Sequence, residues 1–480
     1  MKVLLFNPPG PHGRGHIREG RCTQETGVWA TQWPPVSLAT AAALLGEDGH
    51  DVGVIDFPAL GLGISALTET IRRKRPEMAV WSTGTPTLPF DLQMAGLIKG
   101  ESPETVTAVI GTHVTVRPED ALREPAVDIV VRGEPERIIR NLCAHHGAGW
   151  ETIRGISCRT GSGNDLHDGS GIRHNPAEDF IPAEAIPRPA WHTLDIRPYR
   201  LPLKGRPFLI VAPVRGCPYR CSFCTAPIYY GNKLRERPVE KVMDEIEENV
   251  SGFGVGEFFI WADTFTVNRH YVKQFCRAIR ERKLRVSWTC NSRVDTVDAE
   301  MLGEMKEAGL WMISFGLESG SDDVLTSMNK KISVAQSAKA VHAANRLGIR
   351  VAGHFILGLP GETEKTMEQT LSLALNLPLD IAQFYAAAPF PGTPLYAEAL
   401  RQGWLKSGQN GDSAEFCSQG DAVMALPGLP ADRVNAFRRQ AYRRFYARPR
   451  VIKRILSMVE PGAAKQAAAN MKRFLKWATS

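Results

Sequence analysis

The feature that most constrains this chain is an alternation that occurs twice: short apolar runs, each closed by a polar residue, a proline or a glycine, are separated by segments of helical pattern. The first series holds KVLLF (2–6), DVGVIDF (51–57), MAVWST (78–83), TAVIGT (107–112) and VDIVVRG (127–133), and the small, apolar PVSLATAAALL (35–45) reads as a helix. Apolar runs of this length alternating with helices imply strands buried on both faces of a parallel sheet. Residues 1–145 are therefore predicted to form an α/β domain of Rossmann-like type, with ligands at the carboxyl ends of its strands.

A second series follows: FLIVAPV (208–214), EFFIWAD (257–263), VSWTCNS (286–292), WMISFGLE (311–318), VAGHFILGLP (351–360) and IAQFYAAAPF (381–390), with helical segments such as 239–250 and 334–347 between them. Six βα units in a row predict a partial (β/α)6 barrel of TIM type over residues 205–396, its site where the strands end. Residues 146–204 read as a linker, with TGSGNDLHDGSG (160–171) as a hairpin or loop and IPAEAIPRPAWH (181–192) as a proline-rich connector. Residues 397–480 read as a helical C-terminal region, and the chain shows no short-period repeat.

Nine cysteines in 480 residues are too few and too scattered for a disulfide scaffold. The start, MKVLLFNPPG, is a short apolar run stopped by two prolines rather than a secretory signal. No run approaches the roughly 18 apolar residues of a membrane span. The chain reads as a cytoplasmic protein, and in a reducing compartment clustered cysteines point to metal or redox chemistry. Cys217, Cys221 and Cys224 form such a cluster, in RGCPYRCSFCTAP (215–227), just after the first strand of the second series. Structural zinc takes four ligands, commonly as two pairs, and no second pair accompanies this one. An iron–sulfur cluster uses one thiolate per iron, so three cysteines on a four-iron cluster leave one iron open to another ligand.

The C-x3-C-x2-C spacing, with Phe223 before the last cysteine, resembles the motif of the radical S-adenosylmethionine (SAM) superfamily. WADTFTVN (261–268), ISFGLESGSDDVL (313–325), HFILGLPGET (354–363) and PFPGTPLY (389–396) resemble further segments of that family in the expected order. The resemblance implies a 4Fe-4S cluster whose open iron chelates the amine and carboxylate of SAM. Around it, Glu318 at a strand end is placed to accept hydrogen bonds from the ribose or amine, and Arg293 to pair with a carboxylate. Asn291 can bond either kind of group, Asp263 is a further candidate, and Gly358, with Pro360 and Gly361, allows close backbone approach to the adenine. Each has an alternative reading as a strand-end cap or turn. Cys276 and Cys290 read as buried, inert thiols.

A Rossmann-like domain ahead of such a barrel is similar to the cobalamin-binding branch of the superfamily, through NPP (7–9), WPPVSLATAAALL (33–45), VIGTHVTVRPEDAL (109–122) and VVRGEPE (130–136). Thr112, His113 and Glu134 in these segments are the expected corrin contacts. The cobalt-ligating pattern D-x-H-x-x-G is absent; the nearest approach is DLHDGS (165–170), so His113 is expected to touch the corrin without ligating cobalt. Arg18, Glu19 and Arg21 form a polar cluster that either faces this site or is a solvated loop.

The resemblance implies a cobalamin-dependent methyltransferase acting on an unactivated carbon: a 5′-deoxyadenosyl radical takes hydrogen from the substrate and methylcobalamin supplies the methyl group. Two readings stand beside it, an oxidative cyclase or rearrangement enzyme of the anaerobic tetrapyrrole type, and a cobalamin-binding sensor or electron-transfer module. Expected partners are a small-molecule, lipid or tetrapyrrole substrate and a reductant such as flavodoxin or ferredoxin. The net charge of +7 is modest, and no nucleic-acid module accompanies it. Residues 437–454 carry eight basic groups and no acid. They read either as a helix covering the barrel with its aromatics buried, or as a peripheral contact to anionic lipid or a carboxylate-rich substrate. Replacing any of Cys217, Cys221 or Cys224 by Ala is expected to abolish the brown four-iron chromophore of anaerobically reconstituted protein, while Cys276→Ala and Cys290→Ala keep it. Stoichiometric zinc without iron in the reconstituted protein is the outcome that sinks the reading.

Overall fold

Strand β1 (Lys2–Asn7) shows how the first series is buried on both faces. Its Val3 and Leu5 enter one core with Leu38 and Leu45 of the helix Val36–Glu47, and its Leu4 and Phe6 enter another with Leu67, Ile71, Leu92 and Ile98. Successive strand side chains point to opposite faces, so an uninterrupted apolar run requires a layer of helices on each side. The computed structural model describes residues 1–19, 23–26, 31–145, 149–159, 171–405, 418–465, 467–469 and 471–472.

Beyond β1 a short ribbon, β2 (His16–Ile17) with β3 (Gln24–Glu25), leaves the sheet. β4 (Asp51–Asp56), β5 (Met78–Ser82), β6 (Val106–Ile110), β7 (Ile129–Val131), β8 (Ile156–Arg159) and β9 (Ile172–His174) complete a seven-stranded sheet of order β4-β1-β5-β6-β7-β8-β9. It is parallel up to β7 and antiparallel at β8 and β9. The sheet thus runs past the expected boundary at 145 and takes in part of the expected linker. β8 and β9 are only four and three residues long, too short to stand out as apolar runs. The expected hairpin or loop at 160–171 and the DLHDGS segment lie, except for Gly171, outside the described residues, as does Arg21.

The second sheet is wholly parallel and follows chain order: β10 (Phe208–Val211), β13 (Glu257–Ile260), β14 (Ser287–Ser292), β15 (Leu310–Glu318), β16 (Arg350–Leu357) and β17 (Ile381–Ala386). A second ribbon, β11 (Val214–Arg215) with β12 (Arg235–Glu236), falls between β10 and β13. Four of the return helices begin at side-chain caps: Asn268, Asp298, Ser333 and Thr363 each accept a backbone N–H of the first turn. Each such cap contributes on the order of 1 kcal/mol. The architecture is the α/β one expected, a Rossmann-like sheet followed by a partial barrel and a helical C-terminus. Among the described residues no helix is long and apolar enough to cross a membrane.

An open barrel leaves an unpaired edge, which invites aggregation unless it is covered. At β17 side chains supply the cover. In the helix Ala431–Tyr446, the Tyr446 hydroxyl accepts from Ala382 N (3.2 Å) and donates to Ala382 O (2.9 Å), while Tyr442 accepts from Phe384 N (3.1 Å). Arg438 Nε donates to Phe384 O (2.9 Å). Phe437 and Phe445 join the barrel core. Several of the basic groups are engaged as well: Arg444 pairs with Glu368, as Arg433 just before the segment does with Glu364, and Arg448, Arg450 and Arg454 donate to carbonyls at or just past the end of the helix Glu364–Asn376. These contacts match the covering-helix reading of the basic segment. Tyr446→Phe leaves a buried N–H and a buried carbonyl without their partner, so a loss of roughly 1 to 3 kcal/mol is expected in denaturant unfolding; an unchanged midpoint would mean the edge is held by packing alone.

Candidate active site

The three cysteines occupy a loop that only one backbone geometry permits. Gly216 has φ +87°, and a Cβ there would sit 2.2 Å from Lys233 O, so no other residue fits. Its N–H donates to Asp263 Oδ2 (3.2 Å), tying the loop to the end of β13. Cys217 N donates to Gly231 O (3.2 Å), Ser222 N to Met328 O (2.9 Å) and Cys224 N to Cys221 O (3.1 Å). Cys217 Sγ lies 3.8 Å from Thr264 Oγ1, and Arg293 Nη1 donates toward Cys221 Sγ (3.8 Å).

These thiols line a cavity of about 380 Å³ at the mouth of the barrel. Burial pushes the Cys217 thiol up, and it does the same to Cys221 against the pull of Lys330. Bare thiolates there are therefore disfavoured, which suits thiols that ionise only against a positive metal centre. Among the described residues no three His, Cys, Asp or Glu side chains converge closely enough to hold a single metal ion. Three thiols carried on one loop and lining one cavity suit a cluster held by one cysteine per iron. Such a site fits the cluster better than zinc.

Phe223, Asp263, Asn291, Arg293 and Glu318 line the same cavity, so the structure brings these candidates together with the cysteines. Two of them have partners that the sequence did not announce. Glu318 is paired with buried Lys330 at 2.5 Å, and its backbone is left-handed at φ +60°. Arg293, expected to await a carboxylate, is held by Asp295 at 2.9 Å; its guanidinium stacks 3.7 Å from the Tyr219 ring and faces Cys221.

Four candidates lie outside the cavity lining. Gly358 (φ +82°) forms a turn whose N–H donates to Glu362 Oε2 (2.6 Å), and Val434 of the C-terminal helix sits 3.1 Å from where its Cβ would be. Glu134 belongs to a buried ion network with Arg215 (3.0 Å) and Arg235 (2.7 Å) rather than to a ligand surface. His113 is 1% exposed, its Nδ1 at 3.1 Å from Thr85 Oγ1 and its Nε2 at 3.1 Å from Asp120 Oδ2, so both ring nitrogens are engaged within the first domain. Thr112 opens the short helix Thr112–Val116 beside it.

The first domain reaches the cavity by other residues: Ile17, Glu19, Gln24, Thr31 and Trp33, all from the segment between β1 and the helix Val36–Glu47. Arg18 is not solvated; it forms a fully buried pair with Asp91 (2.7 Å) and donates to Pro8 O (3.0 Å), fastening this segment over the ends of β1 and β5. That is the topological switch point of the sheet, where such folds bind ligands. Glu19 accepts from Ser37 Oγ (2.6 Å) and Ser37 N (3.0 Å), and burial raises its carboxyl to about 7. The apolar faces of Ile17 and Trp33 beside polar Glu19 and Gln24 suit a large, flat, amide-edged ring system. On the barrel side, His354, Gln383 and Tyr385 also face in. Inward parity along β16 and β17, from Ala352 to Ile356 and from Ile381 to Tyr385, is the signal that would have found them.

Residues 211–374 match the family model of the Radical SAM superfamily, and residues 26–142 match that of the B12 binding domain. The chain is 33% identical to an uncharacterized methyltransferase of Pyrococcus horikoshii over 94% of both chains. It is 30% identical to the anaerobic magnesium-protoporphyrin IX monomethyl ester cyclase of Rubrivivax gelatinosus, over 83% of this chain and 70% of that one. Its fold is similar to the radical S-adenosylmethionine methyltransferase TsrM of Kitasatospora setae: TM-score 0.70, 18% identity, 96% of this chain and 91% of that one.

The buried Glu19 makes stability depend on pH. Its folded pKa of about 7 lies above the ordinary 4.5, so the folded state keeps a proton that the unfolded state releases between those values. Stability present below pH 4.5 is thus lost as pH rises through 7. Glu362, likewise raised by burial to about 7, adds to the same slope. Glu19→Gln keeps an acceptor for Ser37 and is expected to remove up to about 3 kcal/mol of the loss between pH 5 and 8 in denaturant unfolding. An unaltered slope would show that Glu19 ionises freely in the folded protein.

Proposed function

This chain belongs to the cobalamin-dependent radical SAM enzymes, and we propose that within that family it is a methyltransferase acting on an unactivated carbon. The family's cofactors are a 4Fe-4S cluster, SAM and cobalamin. When bound, the cluster and SAM supply a 5′-deoxyadenosyl radical that takes hydrogen from carbon, and cobalamin supplies the methyl group.

The observation that carries the reading is a single cavity lined both by the three cysteines and by Glu19, Gln24 and Trp33 of the first domain. Group transfer between two cofactors needs both reacting centres to meet one substrate, and here both domains border one space. Cys217, Cys221 and Cys224 would hold the cluster. Glu318, oriented by Lys330, would accept hydrogen bonds from SAM, with Asn291 and Asp263 beside it. Arg293 would act on the cluster side, its guanidinium donating toward the Cys221 sulfur while Tyr219 and Asp295 fix its plane. Trp33, Phe259, Trp261 and Trp311 give the cavity apolar walls that exclude water from a reactive radical.

Methylation is favoured over cyclisation by the full-length likeness to a methyltransferase at 33% identity. The oxidative cyclase is the second reading, supported by the 30% identity to a tetrapyrrole cyclase. Anaerobic incubation of the reduced, reconstituted protein with methyl-deuterated SAM and a cell extract is the test. Formation of both 5′-deoxyadenosine and S-adenosylhomocysteine, with a deuterated methyl group on a product, is the expected outcome. 5′-Deoxyadenosine without S-adenosylhomocysteine would move the assignment to cyclisation or rearrangement, and the absence of both would move it to a sensor or electron-transfer module.

A further inference from the structure

We propose that the lower half of the barrel cavity is a seat for a neutral, apolar substrate that carries one uncharged hydrogen-bonding group. The inference rests on the cavity as the place where substrate meets both cofactors, and not on the choice between methylation and cyclisation. The cavity that holds the cysteines does not stop at the mouth. Along β15 its lining runs from Glu318 back to Met312, about 20 Å of strand at the usual rise per residue. Phe208 and Ile381, the first residues of β10 and β17, line it as well. A cofactor held at Glu318 and the cysteines therefore leaves the space beneath it to another molecule.

The floor of that space is closed by an ion pair. Lys204 Nζ donates to Glu257 (2.8 Å) and to Ser287 Oγ (3.1 Å), at the starts of β13 and β14, and lies 4.1 Å over the Trp311 ring. Above it Phe208, Phe259, Met312, Ala352 and Ile381 give walls of carbon, which favour the burial of apolar surface. The lysines and arginine of the lining are all paired: Lys204 with Glu257, Arg293 with Asp295 (2.9 Å) and Lys330 with Glu318. A carboxylate or phosphate would enter without a counter-ion or break a buried pair, and both are unfavourable. The molecule that fits is neutral.

One polar step interrupts the apolar wall. His354 and Gln383 are register partners on β16 and β17, and Tyr385 follows two residues on, so all three point inward. His354 directly precedes Phe355, the register partner of Glu318, which puts this step just under the cofactor end. The Tyr385 hydroxyl donates to Gln383 Oε1 and lies 3.2 Å from His354 Nδ1, and the two rings stack 5.8 Å apart. With its oxygen taken, the Gln383 amide leaves its N–H groups for an acceptor in the cavity it lines. A hydroxyl or carbonyl oxygen suits that donor. Anchored there, with its apolar body toward the floor, the substrate has one part fixed toward the cysteines, and this selects the carbon that reacts.

The test is anaerobic equilibrium dialysis of protein reconstituted with cluster, cobalamin and SAM against 2-naphthol and against farnesol, a flat and an extended neutral alcohol. Saturable binding of at least one is expected, and which one binds tells whether the seat takes a ring or a chain. The matched acids, 2-naphthoic and farnesoic, should bind about ten-fold more weakly or worse. Ala352→Phe, which fills the seat, should remove binding while iron content and SAM retention stay unchanged. Should that variant lose iron, Ala352→Val gives the same comparison with a smaller effect of the same sign. Gln383→Leu should weaken the alcohol about three-fold to ten-fold and leave the corresponding hydrocarbon, naphthalene or farnesene, unaffected. A merely structural Gln383 would weaken both alike, which would overturn the polar anchor. No saturable binding of either alcohol, acids that bind as tightly as the alcohols, or unaltered binding in the Ala352 variants would overturn the proposal. Dialysis requires no turnover, so its failure is distinct from a failure of methyl transfer, which is read from S-adenosylhomocysteine.

Discussion

Arg215 is the residue on which the two halves of the molecule depend. It is 2% exposed, and its guanidinium donates to Glu134 at 3.0 Å and Glu136 at 2.7 Å across the domain junction. Burial disfavours its charge, but the attraction of Glu136 and Glu134 outweighs that and holds it protonated. Taking such a group out of water costs several kcal/mol, recovered only while the carboxylates stay in place. Arg215 is followed directly by Gly216 and Cys217, so the ion network that joins the domains also sets where the cysteine loop begins. The ribbon carrying it, β11 with β12, is two residues on each side and too short to persist alone. Arg235 on β12 pairs with the same Glu134, so the first domain holds both strands of the ribbon.

The network has a further consequence for charge. Glu134, Glu136 and Glu19 bring three carboxylates to this junction, against two guanidiniums. Glu134 and Glu136 are ion-paired. Glu19 accepts from the hydroxyl and amide of Ser37 and forms no ion pair among the described residues, and burial holds its proton toward neutrality. It is also the one that borders the cavity. A group that changes charge near pH 7 thus stands where the first domain meets the barrel.

Much of this was legible in the sequence, and what was legible was local. Every apolar run of both series became a strand within two or three residues at its start, because fully buried strands need no partner information to be seen. The cysteines were legible for the same reason: their ligand geometry is written into one loop. β8 and β9 were not, since strands of four and three residues carry no period. What the sequence did not show is what lies opposite each side chain. Glu134 meets Arg215 and Arg235, Arg293 meets Asp295, and Gly358 packs against Val434 of the C-terminal helix. Lys330 is twelve residues from Glu318, and nothing in the intervening helix announces that they meet. Inward-facing His354 and Tyr385 could have been reached by counting along β16 and β17.

The backbone itself distinguishes site from scaffold. Five non-glycine residues among those described have positive φ: Arg75, Lys283, Glu318, Asn329 and Lys331. Three of the five surround one ion pair, Glu318 with Lys330, beside the cysteine loop. Each such conformation costs on the order of 1 to 3 kcal/mol and persists only where its surroundings over-determine it. Strands β13 and β14 end at the same mouth with no such residue, so the architecture of the barrel does not demand the strain. What demands it is the direction of two neighbouring lysines, Lys330 into the cavity to orient Glu318, and Lys331 out of it toward solvent. The left-handed pair at 329 and 331 achieves both within three residues, and buried pairing at 2.5 Å offsets its cost. A segment so arranged serves the inner and outer faces of one metal-binding loop at once, which explains why the strain is gathered here and not spread through the fold.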